Sequence, residues 1–451
     1  MKTEQFDFNR LLIALDKFAQ VDTLEKRCEV LQQYPELQSK AVETLLDNLI
    51  RQRREQDDEK EAQLLILLRG ILQNTRQHLV NQQNGETSQV PPQFRAHINR
   101  VNAALVRYQQ AGGIAALDQV IAGWERIVNH AKFARVDIAF RLKVLNKSAE
   151  SHLQRYWLVS DLRDLERAIA ILQKAVALNR PHFPNSASLP KLLNNLGAGL
   201  DSYYNHTGKK EDLERGIAAY QEAVVLTRQH FPNSPHLPML LNNLGGGLEN
   251  RYTHTGKQED LEHGIEAYQE AVALTRQHFP NSQELPILLN NLGVGLENYY
   301  TRTGKVNDLE RGIEVYQEAV ALIRQQSPDS PDLSILLNNL GNSLIKLYHA
   351  HLREISHLDR GIEAYQEAVT LTHQHFPNSP NLPLYLNNLH DSLRIRHAHL
   401  GENRDLERSI EAYQAAIAFI REHFPNFSNL SDYLNRLGKE GKFRMQDEYN
   451  Q

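Results

Sequence analysis

One short string, Leu-Asn-Asn-Leu, recurs along this chain at a nearly fixed interval. It occupies 193–196, 241–244, 289–292, 337–340 and 386–389, and a worn copy, Leu-Asn-Arg-Leu, follows at 434–437. The first asparagines (194, 242, 290, 338, 387 and 435) are separated by 48, 48, 48, 49 and 48 residues. A second block, Asp-Leu-Glu-Arg-Gly-Ile-x-x-Tyr-Gln-Glu-Ala, keeps the same rhythm through Ile169, Ile217, Ile265, Ile313, Ile362 and Ile410. Two markers sharing one extra residue in the same unit, in the loop around His351 to Ser356, define a true repeat. Such a unit buries its apolar side only against its neighbours, so the chain folds as an array and not around one central core.

The phase extends upstream. Ile121 and Trp124 stand where the later units have isoleucine and tyrosine, and Tyr108, Tyr156, Tyr204, Tyr252, Tyr300 and Tyr348 continue the series. The array is therefore expected to start near Gln93. The spacing predicts two helices per unit: Leu240, Leu241, Leu244 and Leu248 share one face, and Leu261, Ile265, Tyr268, Ala271 and Leu274 share another. Ser234-Pro235 reads as a helix start, Thr255-Gly256 as a left-handed stop and Asp260 as the cap of the second helix. Glycines inside the helices (Gly197, Gly216, Gly245, Gly264, Gly293 and Gly312) each cost about 1 kcal/mol relative to alanine. Close approach of two helix backbones is the compensating gain they predict. No segment alternates with a period of two, so the fold is all-α. The expected division is a helical segment over 1–81, a linker over 82–93, seven repeats over 94–427, and a capping helix with a polar tail over 428–451.

Composition narrows the function classes. The 451 residues carry 50 basic and 55 acidic side chains, a net charge of −5, which gives no electrostatic footprint for nucleic acid. No run approaches the roughly 18 apolar residues of a membrane span, and the apolar run at 11–15 is too short for a signal-peptide core. With one cysteine, a cytoplasmic location is expected.

The chemically tempting residues read as structural. Cys28 lies at helical spacing with Leu24 and Leu31, as a buried thiol does. His230, His278, His375 and His423 fall at helix ends, where the macrodipole favours them, and lack a second ligand three or four residues away. Gly245-Gly246-Gly247 lies mid-helix with no preceding strand, and Thr-Gly-Lys at 207, 255 and 303 is turn chemistry, so no phosphate cradle is expected. The reading is of a protein that is not an enzyme, with no metal and no cofactor.

Leu-x-x-Leu-Gly-x-x-Leu in the first helix and Gly-x-x-x-Tyr-x-x-Ala in the second resemble the tetratricopeptide (TPR) repeat, from about Gln93 to Lys442. The resemblance implies a right-handed α-solenoid. The unit departs from the ordinary 34-residue repeat in its longer turn, since Gly197 and Gly216 are 19 apart. That long-turn variant is similar to the TPR regions attached to bacterial CHAT domains, and Tyr34-Pro35-Glu36-Leu37 with the 45–61 stretch resembles their helical preamble. A CHAT domain itself is not expected, since no residues after Gln451 remain to build one. The asparagine string also resembles the TPRs of kinesin light chains, whose groove binds peptides.

In a TPR unit the first helix lines the groove, which places Asn194, Asn195, Asn242, Asn243, Asn290, Asn291, Asn338, Asn339, Asn387 and Asn388 there. Seven residues after the first asparagine the same face carries Asp201, Glu249 and Glu297, and later Arg394, with Lys346 and Arg396 close by. Two readings of the asparagines stand. They bind the backbone of an extended protein segment in a groove that is acidic early and basic late, or they bond one another and fix the stacking of units. The first makes the chain an interaction scaffold for a protein or peptide partner. The alternative function is a regulatory subunit of a separately encoded CHAT-type peptidase or signalling ATPase, docked through the N-terminal helices.

Overall fold

The computed structural model describes residues 90–423, apart from 280, 281, 351 and 352, together with stretches between 14 and 76. Residues 82–89, the bulk of the expected linker, and 428–451, the expected cap, lie outside the described residues, as do Pro35 and Glu36. Among the described residues every regular element is a helix. The chain divides into two compact units, 1–212 and 213–451.

In the first unit, α1 (Leu24–Gln33) and α2 (Lys40–Glu55) close a small core of Ala14, Phe18, Cys28, Leu31, Leu37, Leu46 and Leu72. Arg76 ties it together: Nε donates to the Leu37 carbonyl at 2.7 Å and a terminal nitrogen to Glu43 at 2.9 Å. The series of long helices then begins with α3 (Arg95–Ala111) and α4 (Ile114–Val128), joined by Gly112-Gly113. It continues as α5 (Ile138–Val159), α6 (Leu162–His182) and α7 (Ser188–Thr207). In the second unit α8 (Lys210–His230) precedes α9 (Leu237–Thr255) and α10 (Gln258–His278), then α11 (Leu285–Thr303) and α12 (Val306–Gln326). The described series ends with α13 (Pro331–Ala350), α14 (Ile355–His375), α15 (Leu382–Leu400) and α16 (Asn403–His423). In the first unit α3 to α7 pack one on the next, as do α9 to α16 in the second, and consecutive first helices also touch: α5 on α7 in one unit, and α9, α11, α13 and α15 in the other. Each unit is thus built, among the described residues, as a stack of antiparallel helix pairs, and the fold class is all-α.

The turn inside each pair explains its own sequence. Gly208, Gly256, Gly304 and Gly401 are left-handed, and the Gly256 N–H closes α9 by donating to the Tyr252 carbonyl at 2.7 Å. Thr255 supports the same turn, its hydroxyl donating to the Arg251 carbonyl and accepting from the Lys257 N–H. Two pairs dispense with glycine and hold Ser160 and Arg353 at φ 54° and 58°.

Two expected caps are placed differently. α9 starts at Leu237, with Pro238 in its first turn, because Ser234 closes a local turn by accepting the His236 N–H. Asp260 does not cap α10. Its carboxylate takes a two-pronged bond from Arg251, Nε at 2.9 Å and a terminal nitrogen at 2.6 Å, which a charge-assisted fork favours over a single backbone N–H.

The internal glycines mark where helices meet. A Cβ on Gly245 would lie 2.6 Å from the Tyr268 ring and 3.0 Å from the Gly264 carbonyl oxygen. The last pair solves the contact with other residues. His390 and Ser409, both fully buried, replace the two glycines; the imidazole stacks on Tyr413 at 4.6 Å and Nδ1 donates to the Ser409 carbonyl at 2.9 Å.

Candidate interaction surface

Residues three, four and seven apart on a helix share a face, so each first helix presents one continuous strip. On α9 this strip runs through Met239, Asn242 with Asn243, Gly246, and Glu249 with Asn250. On α11 it runs through Ile287, Asn290 with Asn291, Val294, and Glu297 with Asn298.

The asparagines bond from one pair to the next. In each case the second asparagine of one first helix donates its amide to the first asparagine of the helix before it. Asn291 reaches Asn242 at 2.9 Å, Asn339 reaches Asn290 at 2.9 Å, and Asn388 reaches Asn338 at 2.8 Å. In the first unit Asn195 bonds Asn146 at 3.3 Å. Within one helix, Asn290 donates to Asn291 at 3.2 Å, and Asn387 donates to Asp391 at 3.2 Å. Asn242 and Asn338 are buried, whereas Asn194, Asn195, Asn243, Asn290, Asn291, Asn339, Asn387 and Asn388 stay half-buried. The ladder thus ties pair to pair while eight of these ten asparagines keep part of their surface in solvent.

Two turns further on, the charged row is also tied internally. Glu249 accepts from the Tyr268 hydroxyl at 3.0 Å and from Asn298, and its burial pushes the carboxyl above its ordinary pKa. Glu297 accepts from Ser343 at 2.6 Å and is paired with Lys346 on the next first helix. The Tyr316 phenol is pushed up by burial, and by Glu297 and Glu249 nearby; Tyr365 is pushed up by burial and by Glu297 and Asp391. Asp201 is half-buried on α7 and Arg394 is exposed on α15. Arg396 does not join this basic end. Two residues on from Arg394 it points about 200° around the helix, where it bonds Asp405 twice at 2.7 Å and Asp359 at 2.8 Å.

That second contact belongs to a set of inter-pair ties that motif reading passes over. Arg155 reaches Asp118 and Arg251 reaches Glu214, while the hydroxyls of Tyr203 and Tyr299 reach Glu166 and Glu262. Each donor lies 37 residues after its acceptor, as Arg396 does after Asp359. The acceptors are the last residue of the Asp-Leu-Glu block or its equivalent, so their in-phase recurrence is the available signal. Where the donor is an arginine, the aspartate that opens the following block, nine residues after it, holds it as well, as Asp164, Asp260 and Asp405 do. The long turn therefore carries its own lock and the lock to the next pair.

A row of aliphatic side chains bordering the asparagines also escapes motif reading. Met239, Ile287, Ile335 and Leu384 each stand three residues before a first asparagine; Ile287 is 43% and Leu384 51% exposed, the other two half-buried. The same register in the first unit holds Lys191, bonded to Glu150.

The residues set aside as structural are placed as follows. Cys28 is buried in the N-terminal core, and His230, His278, His375 and His423 end α8, α10, α14 and α16. Among the described residues no three His, Cys, Asp or Glu side chains gather as a metal site, and no helix is long and apolar enough to cross a membrane.

No protein-family model and no curated protein sequence matches the chain. Solved structures resemble it at low identity. BtubC from P. vanneervenii is 18% identical with a TM-score of 0.44, the match covering 58% of this chain and 93% of that one. The nearly identical TPR-like repeats of a Podosopora anserina putative kinesin light chain give 14% and 0.38, covering 52% and 96%. PilF of Pseudomonas aeruginosa gives 14% and 0.38, covering 65% and 97%.

Proposed function

We propose that the chain is a non-enzymatic interaction scaffold that holds an extended segment of a protein partner along the first-helix face of 213–423. The observation that carries this reading is the row of half-buried amides, Asn243 on α9, Asn290 and Asn291 on α11, Asn339 on α13, and Asn387 and Asn388 on α15. A side-chain amide offers two hydrogens and an acceptor with two lone pairs. The bond to the preceding helix takes one hydrogen from Asn291 and one from Asn339. A peptide backbone presents carbonyls and N–H groups at regular intervals whatever its side chains, and a ladder already fixed by its own hydrogen bonds meets it with little further ordering. Asn194, Asn195 and Asp201 form the corresponding strip in the first unit, with Asn242, Asn243, Glu249, Asn290, Asn291, Glu297, Asn338, Asn339, Asn387, Asn388 and Arg394 in the second.

Photo-crosslinking tests the reading. A benzoylphenylalanine at Val294, between Asn291 and Asn298 on this strip, is expected to capture a partner from the extract of the source cells. The same group at Val225, 58% exposed on the second helix α8, is expected to capture none. Asn291→Ala with Asn339→Ala should abolish the Val294 adduct in a chain that keeps its helical circular dichroism. Equal capture from Val225, or an adduct indifferent to the asparagine changes, contradicts the proposal.

A further inference from the structure

Resting on the groove reading, we infer the class of segment the face selects: a polyproline-II stretch with an aliphatic side chain at every third residue. Charge does little to define the occupant, because the charges in the middle of the strip are satisfied from within. Glu297 is bonded to Ser343 and Lys346, and Glu249 to Tyr268 and Asn298. What the strip offers in addition is the in-phase row Met239, Ile287, Ile335 and Leu384. An exposed isoleucine and leucine in one repeated register, where the first unit has Lys191, form an apolar edge one helical turn from the amides.

The spacing of that edge fixes the conformation. Packed helices lie about 8–10 Å apart, and the Asn291–Asn242 and Asn339–Asn290 bonds show that these first helices are in direct contact. A polyproline-II segment rises about 3.1 Å per residue with three residues per turn, so every third side chain returns to one face about 9 Å on. A β-strand cannot do this, since residues three apart point to opposite faces. Polyproline II also leaves its backbone carbonyls unpaired, and these are the groups that the asparagine amides can donate to.

The test uses the full chain and a fluorescein-labelled peptide of four Leu-Pro-Ser triplets, read by anisotropy. Controls are a peptide in which serine replaces every leucine and one of alternating Leu-Ser. The triplet peptide is expected to bind at least about tenfold more tightly than either control. Ile287→Ser with Leu384→Ser, both at exposed positions, should weaken it at least about tenfold, each aliphatic contact being worth roughly that factor. Equal binding of the alternating peptide overturns the polyproline-II assignment. Loss of binding in Asn291→Ala with Asn339→Ala but not in the double serine variant overturns the aliphatic row and leaves the groove reading standing. Binding indifferent to both pairs overturns both, and no binding of the triplet peptide overturns the inference.

Discussion

Replacing Arg251 by methionine removes a charge from a position where three helices meet. Its guanidinium bonds Asp260 on α10 through two nitrogens, at 2.9 and 2.6 Å, and Glu214 on α8 at 2.8 Å. The pair holds the guanidinium above its ordinary pKa, with the Asp260 hydrogen bonds the largest cause. Asp260 is only 5% exposed, so the variant leaves a nearly buried carboxylate without its counter-charge. Breaking a buried pair in this way costs about 3–5 kcal/mol. The lower end applies, because Asp260 retains the favourable N-terminal turn of α10. Stacked repeats open locally, so the appropriate assay is hydrogen exchange of α9 and α10 by mass spectrometry and not a single global transition. A loss of about 3 kcal/mol speeds exchange there on the order of 100-fold. Adding Asp260→Leu should recover most of that loss, since an apolar pair of similar volume replaces a buried ion pair at little cost. An acceleration below about threefold for Arg251→Met alone, typical of exposed pairs, would refute the account of the lock.

Other outcomes follow from single contacts. Arg353→Gly relieves a side chain held in the left-handed region and should stabilise the α13–α14 pair by about 1 kcal/mol in thermal or exchange measurements. Gly293→Ala places a Cβ 2.7 Å from the fully buried Tyr316 ring and should cost about 2 kcal/mol in exchange of α11 and α12. Gly246→Ala meets only the Tyr268 hydroxyl oxygen at 3.6 Å and should stabilise α9 by up to about 1 kcal/mol. Glu249→Gln is expected to stabilise at neutral pH. Burial raises the folded-state pKa above the unfolded one, so ionisation at rising pH weakens the fold. The gap between variant and parent should therefore close below the ordinary carboxylate range near pH 4, as read from denaturant midpoints.

What the chain discloses as a string and what it withholds divide along a physical line. Contacts within a helix, or between the two helices of a pair, leave periodic marks: the leucine spacing of α9, the left-handed Gly256 and the close-packed Gly245 and Gly264 are all readable. Contacts between pairs, such as those joining residues 37 or 49 apart, leave a mark only when the same separation is seen to recur from unit to unit. Asn291 to Asn242 and Arg251 to Glu214 are of that kind, because neither separation follows a helical period. Asp260 misleads for a related reason. Its position fits a cap, and nothing local reveals that Arg251 returns across the long turn to claim it. The aliphatic row hides among core leucines, since a pattern does not distinguish the buried Leu240 and Leu288 from the adjacent exposed Ile287. The asparagines stand out, but their division of hydrogen bonds between neighbours and solvent is visible only in three dimensions.

The central claim is that a partner lies on the first-helix strip of 213–423, and hydroxyl-radical footprinting of the complex with the partner captured from Val294 measures this directly. Protection is expected at Met239, Ile287 and Leu384, with Val225 reacting as in the free chain. Protection of Val225 with unchanged reactivity along the strip would contradict it.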